Sequence, residues 1–422
     1  MNATATFEAH RPKRVGMTLA LCFCVSIIEG LDLQSMGIAA PKLGPEFSLS
    51  KALLGNVLMA SPLGLFFGAF LGGRIADFWG RKRALLGAIV VFGAFQLGTV
   101  WAPDYPTLVA IRFLCGLGLG GAMPNLVALT SEVAEGRNSI LYVVTTIAGM
   151  PTGGAVASLI AFIAGGNADW RLIFYIGGIG PLLLAPLMAV VLPESRLFRE
   201  ARAAAAREGG HAQAVLTTLF ARPRIAATLL IWVALFFTTL VTYLLLNWLP
   251  ILMVAAGFSR SDAFLIQLLF NIGAAAGSIF LGWLMQLRRS SLLLLSCYVG
   301  TAAGLLTLAL HGGGLVVVLI AVTATGGFLL GSQFILYGVT PDYYRVETRG
   351  TGVGAAVASS RLGSAAGPFL AGQWLGAGAS ATHVLTGTLP VIATAAAAAV
   401  ILLLLKRPLS APDDHTNAIA PP

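Results

Sequence analysis

Charge is scarce in this chain of 422 residues. Asp, Glu, Lys and Arg make up 10% of it, against 57% hydrophobic residues and a mean hydropathy of +0.86. Soluble domains carry about 25% charged residues, so an ordinary water-soluble fold is excluded and a polytopic membrane protein is left. Cysteine is scarcer still. Cys22, Cys24, Cys115 and Cys297 all fall in apolar runs, where a thiol behaves as a small hydrophobe. Neither a disulfide framework nor a zinc site is indicated, and Cys22 and Cys24, one residue apart, point to different sides of a helix. No Ser/His/Asp arrangement, Walker A loop or metal cluster is present, which argues against group transfer and ATP hydrolysis, and so against an enzyme with a metal or organic cofactor. Met1–Arg14 lacks an apolar core followed by a small-residue cleavage site, so the first span is expected to be retained.

Long apolar runs are what the chain has instead. At about 20 residues per crossing, twelve spans are predicted: 15–39, 53–74, 84–102, 107–130, 139–165, 171–192, 225–249, 262–285, 291–310, 315–338, 350–375 and 384–405. With the N-terminus in the cytoplasm, twenty of the twenty-six Lys and Arg fall in cytoplasmic segments and only Lys42, Lys51, Arg171 and Arg260 outside. That is the positive-inside bias. It accounts for the net charge of +9 without a nucleic-acid partner. The expected layout is a cytoplasmic tail (1–14), a six-helix bundle (15–192), a cytoplasmic linker (193–224), a second six-helix bundle (225–405) and a cytoplasmic tail (406–422). Glu200–Arg207 in the linker reads as a short surface helix, and Ser410–Pro422 as disordered. A monomer in the inner membrane with both termini inside is expected.

Four charges interrupt these runs: Glu29, Asp32, Arg112 and Arg361. Each costs roughly 2.5–3.5 kcal/mol or more at the bilayer centre, so such residues normally face a cavity on an ion or substrate path. Two halves of six spans with a midplane site between them is the plan of transporters built from parallel repeats. Glu29 and Asp32 share one helical face. Two close carboxylates in a low dielectric do not both ionise easily, which suits them to proton coupling. At about 1.5 Å per residue they lie roughly 21 and 25 Å into span 1, and Arg112 roughly 8 Å into span 4 from the opposite side, so a pair of Arg112 with either acid is geometrically reasonable. Arg361 lies roughly 16 Å into span 11, at the midplane, in a half without a membrane acid. A guanidinium grips a carboxylate with two hydrogen bonds, so an anionic substrate is the simplest missing partner; backbone carbonyls or Asp32 are the alternatives. Tyr243, Asn247, Gln267, Asn271, Gln333 and Tyr337 are candidates for the rest of the pocket, or for plain interhelical bonding. His311 and His383 read as interfacial.

After span 2 comes Gly72-Gly73-Arg74-Ile75-Ala76-Asp77-Phe78-Trp79-Gly80-Arg81-Lys82-Arg83. It resembles the signature loop of the major facilitator superfamily, which implies that fold: all-α, twelve transmembrane helices in two pseudo-symmetric bundles. Gly73, Asp77, Gly80 and Arg81 are then the candidate gate, with Asp77 pairing Arg81 to hold the cytoplasmic side closed. Phe78 stands where that loop usually has arginine. The equivalent loop in the second half has Gln286 in place of the acid. Glu29-Gly30-Leu31-Asp32, Arg112-Phe113-Leu114-Cys115-Gly116, Leu192-Pro193-Glu194-Ser195, Leu246-Asn247-Trp248-Leu249-Pro250 and Arg361-Leu362-Gly363 with Gly367-Pro368 further resemble the aromatic acid:proton symporters of that superfamily. This resemblance implies import of a hydroxyphenylpropionate-like or hydroxybenzoate-like carboxylate with protons as the coupling ion. The family more often has aspartate where Glu29 stands, which makes Asp32 the expected coupling acid. Two alternatives stay open. One is a proton-driven antiporter, since Gly149-Met150-Pro151-Thr152-Gly153-Gly154 loosely resembles antiporter motifs; the other is a membrane sensor that transports nothing.

Overall fold

A backbone in lipid has no water to bond to, so each apolar run must satisfy its own N–H and C=O groups, and a helix does so within one segment. The computed structural model, which describes residues 3–133, 139–164, 169–192, 225–284, 290–310, 314–344 and 349–405, has a helix at each of the twelve expected spans. In chain order they are α1 (Ala3–Glu46), α2 (Lys51–Trp79), α3 (Arg81–Gly98), α4 (Tyr105–Val133), α5 (Ser139–Ile163), α6 (Arg171–Val191), α7 (Ile225–Ala255), α8 (Arg260–Leu284), α9 (Ser290–Leu310), α10 (Gly314–Val339), α11 (Arg349–Gly376) and α12 (Ala381–Leu404). Ten carry a segment long and apolar enough to cross a membrane. The other two are α5, whose apolar described segment is the shorter Ala148–Ile163, and α11, diluted by Gly, Ala and Ser and carrying Arg349 and Arg361.

The sequence placed the end of the first span near residue 39, before Pro41. The helix instead runs through Pro41 to Glu46. Its last turn is held from outside, since Glu46 accepts a hydrogen bond from Trp170 Nε1 at 2.6 Å and an ion pair from Arg171. Arg171 also lies over the Trp170 ring, 4.5 Å from its centroid. The break between α2 and α3 is a single residue, Gly80, at φ +95°. Side chains rarely adopt that conformation. An added Cβ at Gly73, by contrast, meets nothing within 4 Å.

Helix pairing repeats between the halves. Within the first, α1 packs on α5, α2 on α4, α3 on α4 and α6; within the second, α7 packs on α11, α8 on α10, α9 on α10 and α12. Between the halves the main seams are α2 with α11, α5 with α8, and α1 with α7. A two-fold relation exchanges the first two seams and maps the third onto itself. Backbones nearly touch at the α1–α7 seam, where a Cβ at Gly37 would sit 2.6 Å from the Asn247 carbonyl oxygen, and within the first half between α5 and α1, where one at Gly153 would sit 1.8 Å from that of Ile27, so neither site admits a side chain. Large apolar residues face outward, Phe70 at 71%, Leu183 at 70% and Val190 at 85% exposure, while the ionised and amide groups are inside. This inversion suits a lipid solvent.

The linker at 193–224, the Gln286 loop and the tail from 406 lie outside the described residues, and so does the side chain of Asp77; the expected linker helix, disordered tail and Asp77–Arg81 gate fall there.

Candidate functional site

The first half holds a closed polar cluster. Asp32 on α1 and Arg112 on α4 are both buried and paired, Arg112 NH1 and NH2 each 3.0 Å from Asp32 Oδ1. The guanidinium also donates to Gln96 Oε1 on α3 at 2.6 Å and sits 5.6 Å from the centroid of Phe174 on α6. Gln96 Nε2 donates in turn to Ser35 Oγ at 3.4 Å, and Ser35 Oγ to the Asp32 carbonyl at 2.7 Å. Cys115 Sγ lies 3.5 Å from Gln96 Oε1 and 3.8 Å from Asp32 Oδ1. Four helices therefore hold one ion pair. Removing a member of such a pair strands the other as an uncompensated buried charge.

Glu29, one turn before Asp32, is equally buried, yet neither of its carboxylate oxygens has a hydrogen-bond partner. The charged and phenolic groups within Coulomb reach of it are Arg361 and Tyr243 of the other half and Asp32 of its own helix. The expected pairing of Arg112 with one of the two acids thus resolves onto Asp32.

The second half is arranged more openly. Arg361 on α11 is half-buried, donates from NH1 to Tyr243 Oη at 3.4 Å, and leaves Nε without a partner. Tyr337 Oη is 2.7 Å from Ser360 Oγ and accepts from Gln333 Nε2 at 3.4 Å. The structure therefore gathers Arg361, Tyr243, Tyr337 and Gln333 into one neighbourhood, with phenols about the guanidinium and no carboxylate bonded to it among the described residues.

Asn247, Gln267 and Asn271 stand elsewhere. Asn247 donates to the Tyr243 carbonyl of its own helix at 2.9 Å, where Gly37 presses on its backbone. Gln267 and Asn271 on α8 meet Gln34 on α1. Gln34 Nε2 donates to Asn271 Oδ1 at 2.6 Å and Asn271 Nδ2 donates back to Gln34 Oε1 at 2.8 Å, a reciprocal amide pair across the halves. Gln267 Nε2 adds a third bond to Gln34 Oε1 at 2.9 Å. All three side chains are buried. Gly154 on α5 leaves them room, since a Cβ there would be 1.8 Å from Gln34 Nε2. The Gly149–Gly154 segment is thus the packing surface of α5 against α1 and this amide cluster. The amide cluster lies on the side of the bundle toward which α1 runs before α2 begins; at that end the halves are closed also at Gly55, whose Cβ would be 2.9 Å from Gly372 Cα.

Sequence reasoning passed over Gln34, Gln96 and Ser35 as site residues. Gln96 carried a usable signal, being the one amide in the apolar run Ala84–Gly98. For Gln34 the signal was its place five residues after Glu29, on a face that only the packing of α8 reveals.

A family model described as Major Facilitator Superfamily matches residues 22–368. The chain belongs to the major facilitator superfamily. Members of known name that it resembles include the 3-(3-hydroxy-phenyl)propionate transporter of Escherichia coli K12, 42% identical over 90% of this chain and 92% of that one. The gallate transporter and the 4-hydroxybenzoate transporter of Pseudomonas putida are 32% and 31% identical, over 90% and 89% of both chains. Among solved structures, the fold matches the partially occluded, inward-open xylose transporter of E. coli with a TM-score of 0.74 at 16% identity, covering 93% of this chain and 98% of that one. A bacterial homologue of the lysosomal transporter Spinster matches with a TM-score of 0.72 at 17% identity, over 92% and 97%. This superfamily member is a multi-pass membrane transporter and not an enzyme.

Proposed function

We propose that this chain imports an aromatic carboxylate together with protons across the inner membrane, as a monomer with both termini in the cytoplasm. The observation that carries the reading is the contrast between the two arginines. Both terminal nitrogens of Arg112 are bonded, to Asp32 and Gln96, whereas Arg361 offers its fork beside two tyrosines with no bonded acid among the described residues. A monoanion with an aromatic body fits such a place: the guanidinium takes the carboxylate and the phenol rings take the ring. The named relatives, transporters of hydroxylated aromatic acids, support the same substrate class.

Asp32, Glu29 and Arg112 form the proton-coupling set. Protonating Asp32 would strand Arg112, while protonating Glu29 breaks no hydrogen bond. Glu29 is also within Coulomb reach of Arg361, so a substrate carboxylate arriving there meets a like charge unless Glu29 is neutral. We therefore assign the exchanged proton to Glu29 and the fixed charge pair to Asp32 and Arg112. No resident cofactor is needed, since the proton is the coupling ion. The positive-inside count supports cytoplasmic termini, which makes the Gln34 end of the seam the outer one. Arg81 and Gly80, with Asp77 and Gly73, are the proposed cytoplasmic gate.

The test is uptake of labelled 3-(3-hydroxyphenyl)propionate into proteoliposomes. Accumulation driven by an outside-acid pH gradient, and counterflow without one, are expected. Uptake driven only by an inside-acid gradient would mark an antiporter, and neither accumulation nor exchange would remove the import reading.

A further inference from the structure

We propose that Gln267 reads a hydroxyl on the ring of the cargo, through the one amide oxygen that the cluster between the halves leaves unused. The inference rests on the aromatic-acid reading above. An audit of the cluster isolates that atom. Gln34 Oε1 accepts from both Gln267 and Asn271, and Asn271 Oδ1 accepts from Gln34. Asn271 Nδ2 also donates to the Gln267 carbonyl at 2.9 Å and lies 3.5 Å from Ser158 Oγ. Gln267 Nε2 is committed to Gln34, yet Gln267 Oε1 is buried and accepts nothing.

Buried polar oxygens are nearly always hydrogen-bonded, so an orphan kept among satisfied amides calls for a donor. A neutral O–H supplies one. A carboxylate does not, since it only accepts. The two ends of an aromatic acid therefore sort themselves, the anion to Arg361 and the hydroxyl to Gln267.

The order of residues along α1 agrees with that division. Gln34 follows Glu29 by five residues, an advance of about 7.5 Å along α1 toward the outer end, and Glu29 is within Coulomb reach of Arg361. The amide cluster thus stands outward of Glu29 along α1, on the side away from the cytoplasmic start of that helix. Because the same amides join the halves, a cargo hydroxyl takes hold at the seam that must part for the outer side to open. Hydroxyl recognition and closure around the cargo are one event.

The measurement is the ratio of affinities for 3-(3-hydroxyphenyl)propionate and 3-phenylpropionate on the same purified sample, a ratio that does not depend on the fraction folded. The wild-type protein is expected to favour the hydroxylated acid about tenfold, the worth of one neutral hydrogen bond. Gln267→Met, of similar shape but without the acceptor, is expected to bring the ratio near one, chiefly by weakening the hydroxylated acid. Gln267→Glu keeps an acceptor and gives up the donor to Gln34, so it is expected to retain the preference; a merely structural role would make it as poor as the Met variant. A wild-type ratio preserved in Gln267→Met, or a ratio near one in Gln267→Glu, overturns the proposal while leaving aromatic-acid import standing. A wild-type protein that binds neither acid removes the aromatic-acid reading, and this inference with it.

Discussion

Each half of the molecule carries one arginine in the middle of a helix, Arg112 buried and Arg361 half-buried, and the two are used in opposite ways. Arg112 is held by an aspartate, a glutamine and an aromatic face contributed by three other helices, so its charge is cancelled before any ligand arrives. Arg361 has one long bond to a tyrosine and no bonded carboxylate among the described residues, with Glu29 of the opposite half as the acid within Coulomb reach; the Nε of each arginine is left without a partner. Pseudo-symmetry of the backbone therefore does not extend to the charges. The first half stores a neutral pair and one spare acid, the second a spare cation, and the balance is restored only when something anionic enters or a proton leaves.

The largest effect expected from this contrast is on stability. Asp32→Asn removes the counter-charge of Arg112 and should cost about 3–5 kcal/mol, the usual result of breaking a buried pair on one side. Glu29→Gln, one turn away and equally buried, breaks no hydrogen bond and should cost less than about 1 kcal/mol. Thermal unfolding in detergent measures both. Equal losses would mean that the two acids are not divided between structure and coupling. Transport adds a second readout: Glu29→Gln should exchange labelled substrate but fail to accumulate it against a pH gradient.

Next in size is Arg361→Lys. The charge is kept and the planar fork is lost, so substrate affinity should fall by about 2–3 kcal/mol, roughly 30- to 150-fold, for a charge-assisted bidentate contact. The fold should be unaffected, because Arg361 makes only the one long bond to Tyr243. Calorimetric titration with the acid decides this, and near-normal affinity would sink the carboxylate clamp. The corresponding Arg112→Lys change should do the reverse, lowering stability more than affinity.

A smaller effect belongs to the seam. Asn271→Ala removes the reciprocal amide pair with Gln34 and should tilt the balance toward the outward-open state by about 1–2 kcal/mol, two neutral bonds partly offset by rearrangement. Spin labels replacing Lys51 at the start of α2 and Ala377 just past α11, in a Cys24→Ser background, report the opening as a longer-distance population. An unchanged distance distribution would reduce the amide pair to packing.

How much of this was readable beforehand depends on whether the signal was local. Twelve apolar runs fix twelve helices because lipid leaves the backbone no other way to bond, and four charges in those runs announce themselves against an apolar background. The division of labour proposed for Glu29 and Asp32 was not local. It depends on which of two residues a turn apart faces α4 and which comes within reach of Arg361 on α11, and a rotation of about 100° per residue about an axis of unknown tilt decides that. Gln267 and Asn271 read as pocket residues because amides in apolar helices suggest a ligand; that Gln34 bonds both could not be seen without the packing of α1 against α8. Pro41 misled for a related reason. A proline near a helix end usually marks that end, but Trp170 and Arg171, far away in sequence, hold the extra turn.

The smallest effect in the comparison concerns Cys115, which stands against the fixed pair of the first half and has no counterpart in the second half's cluster. Its sulfur lies 3.7 Å from Arg112 NH1, 3.5 Å from Gln96 Oε1 and 3.8 Å from Asp32 Oδ1, contacts at the reach of a weak thiol donor and acceptor. If the pair is held by its charges and by Gln96, Cys115→Ala should cost under about 1 kcal/mol of stability, leave uptake within about threefold of wild type and leave the pH dependence of uptake in place. Cys115→Ser keeps a donor of smaller size and should be nearer still to wild type. A displaced pH profile in Cys115→Ala, with stability intact, would show that the thiol acts on the Asp32–Arg112 pair during the cycle, and that this pair exchanges charge where it is here assigned only to hold it.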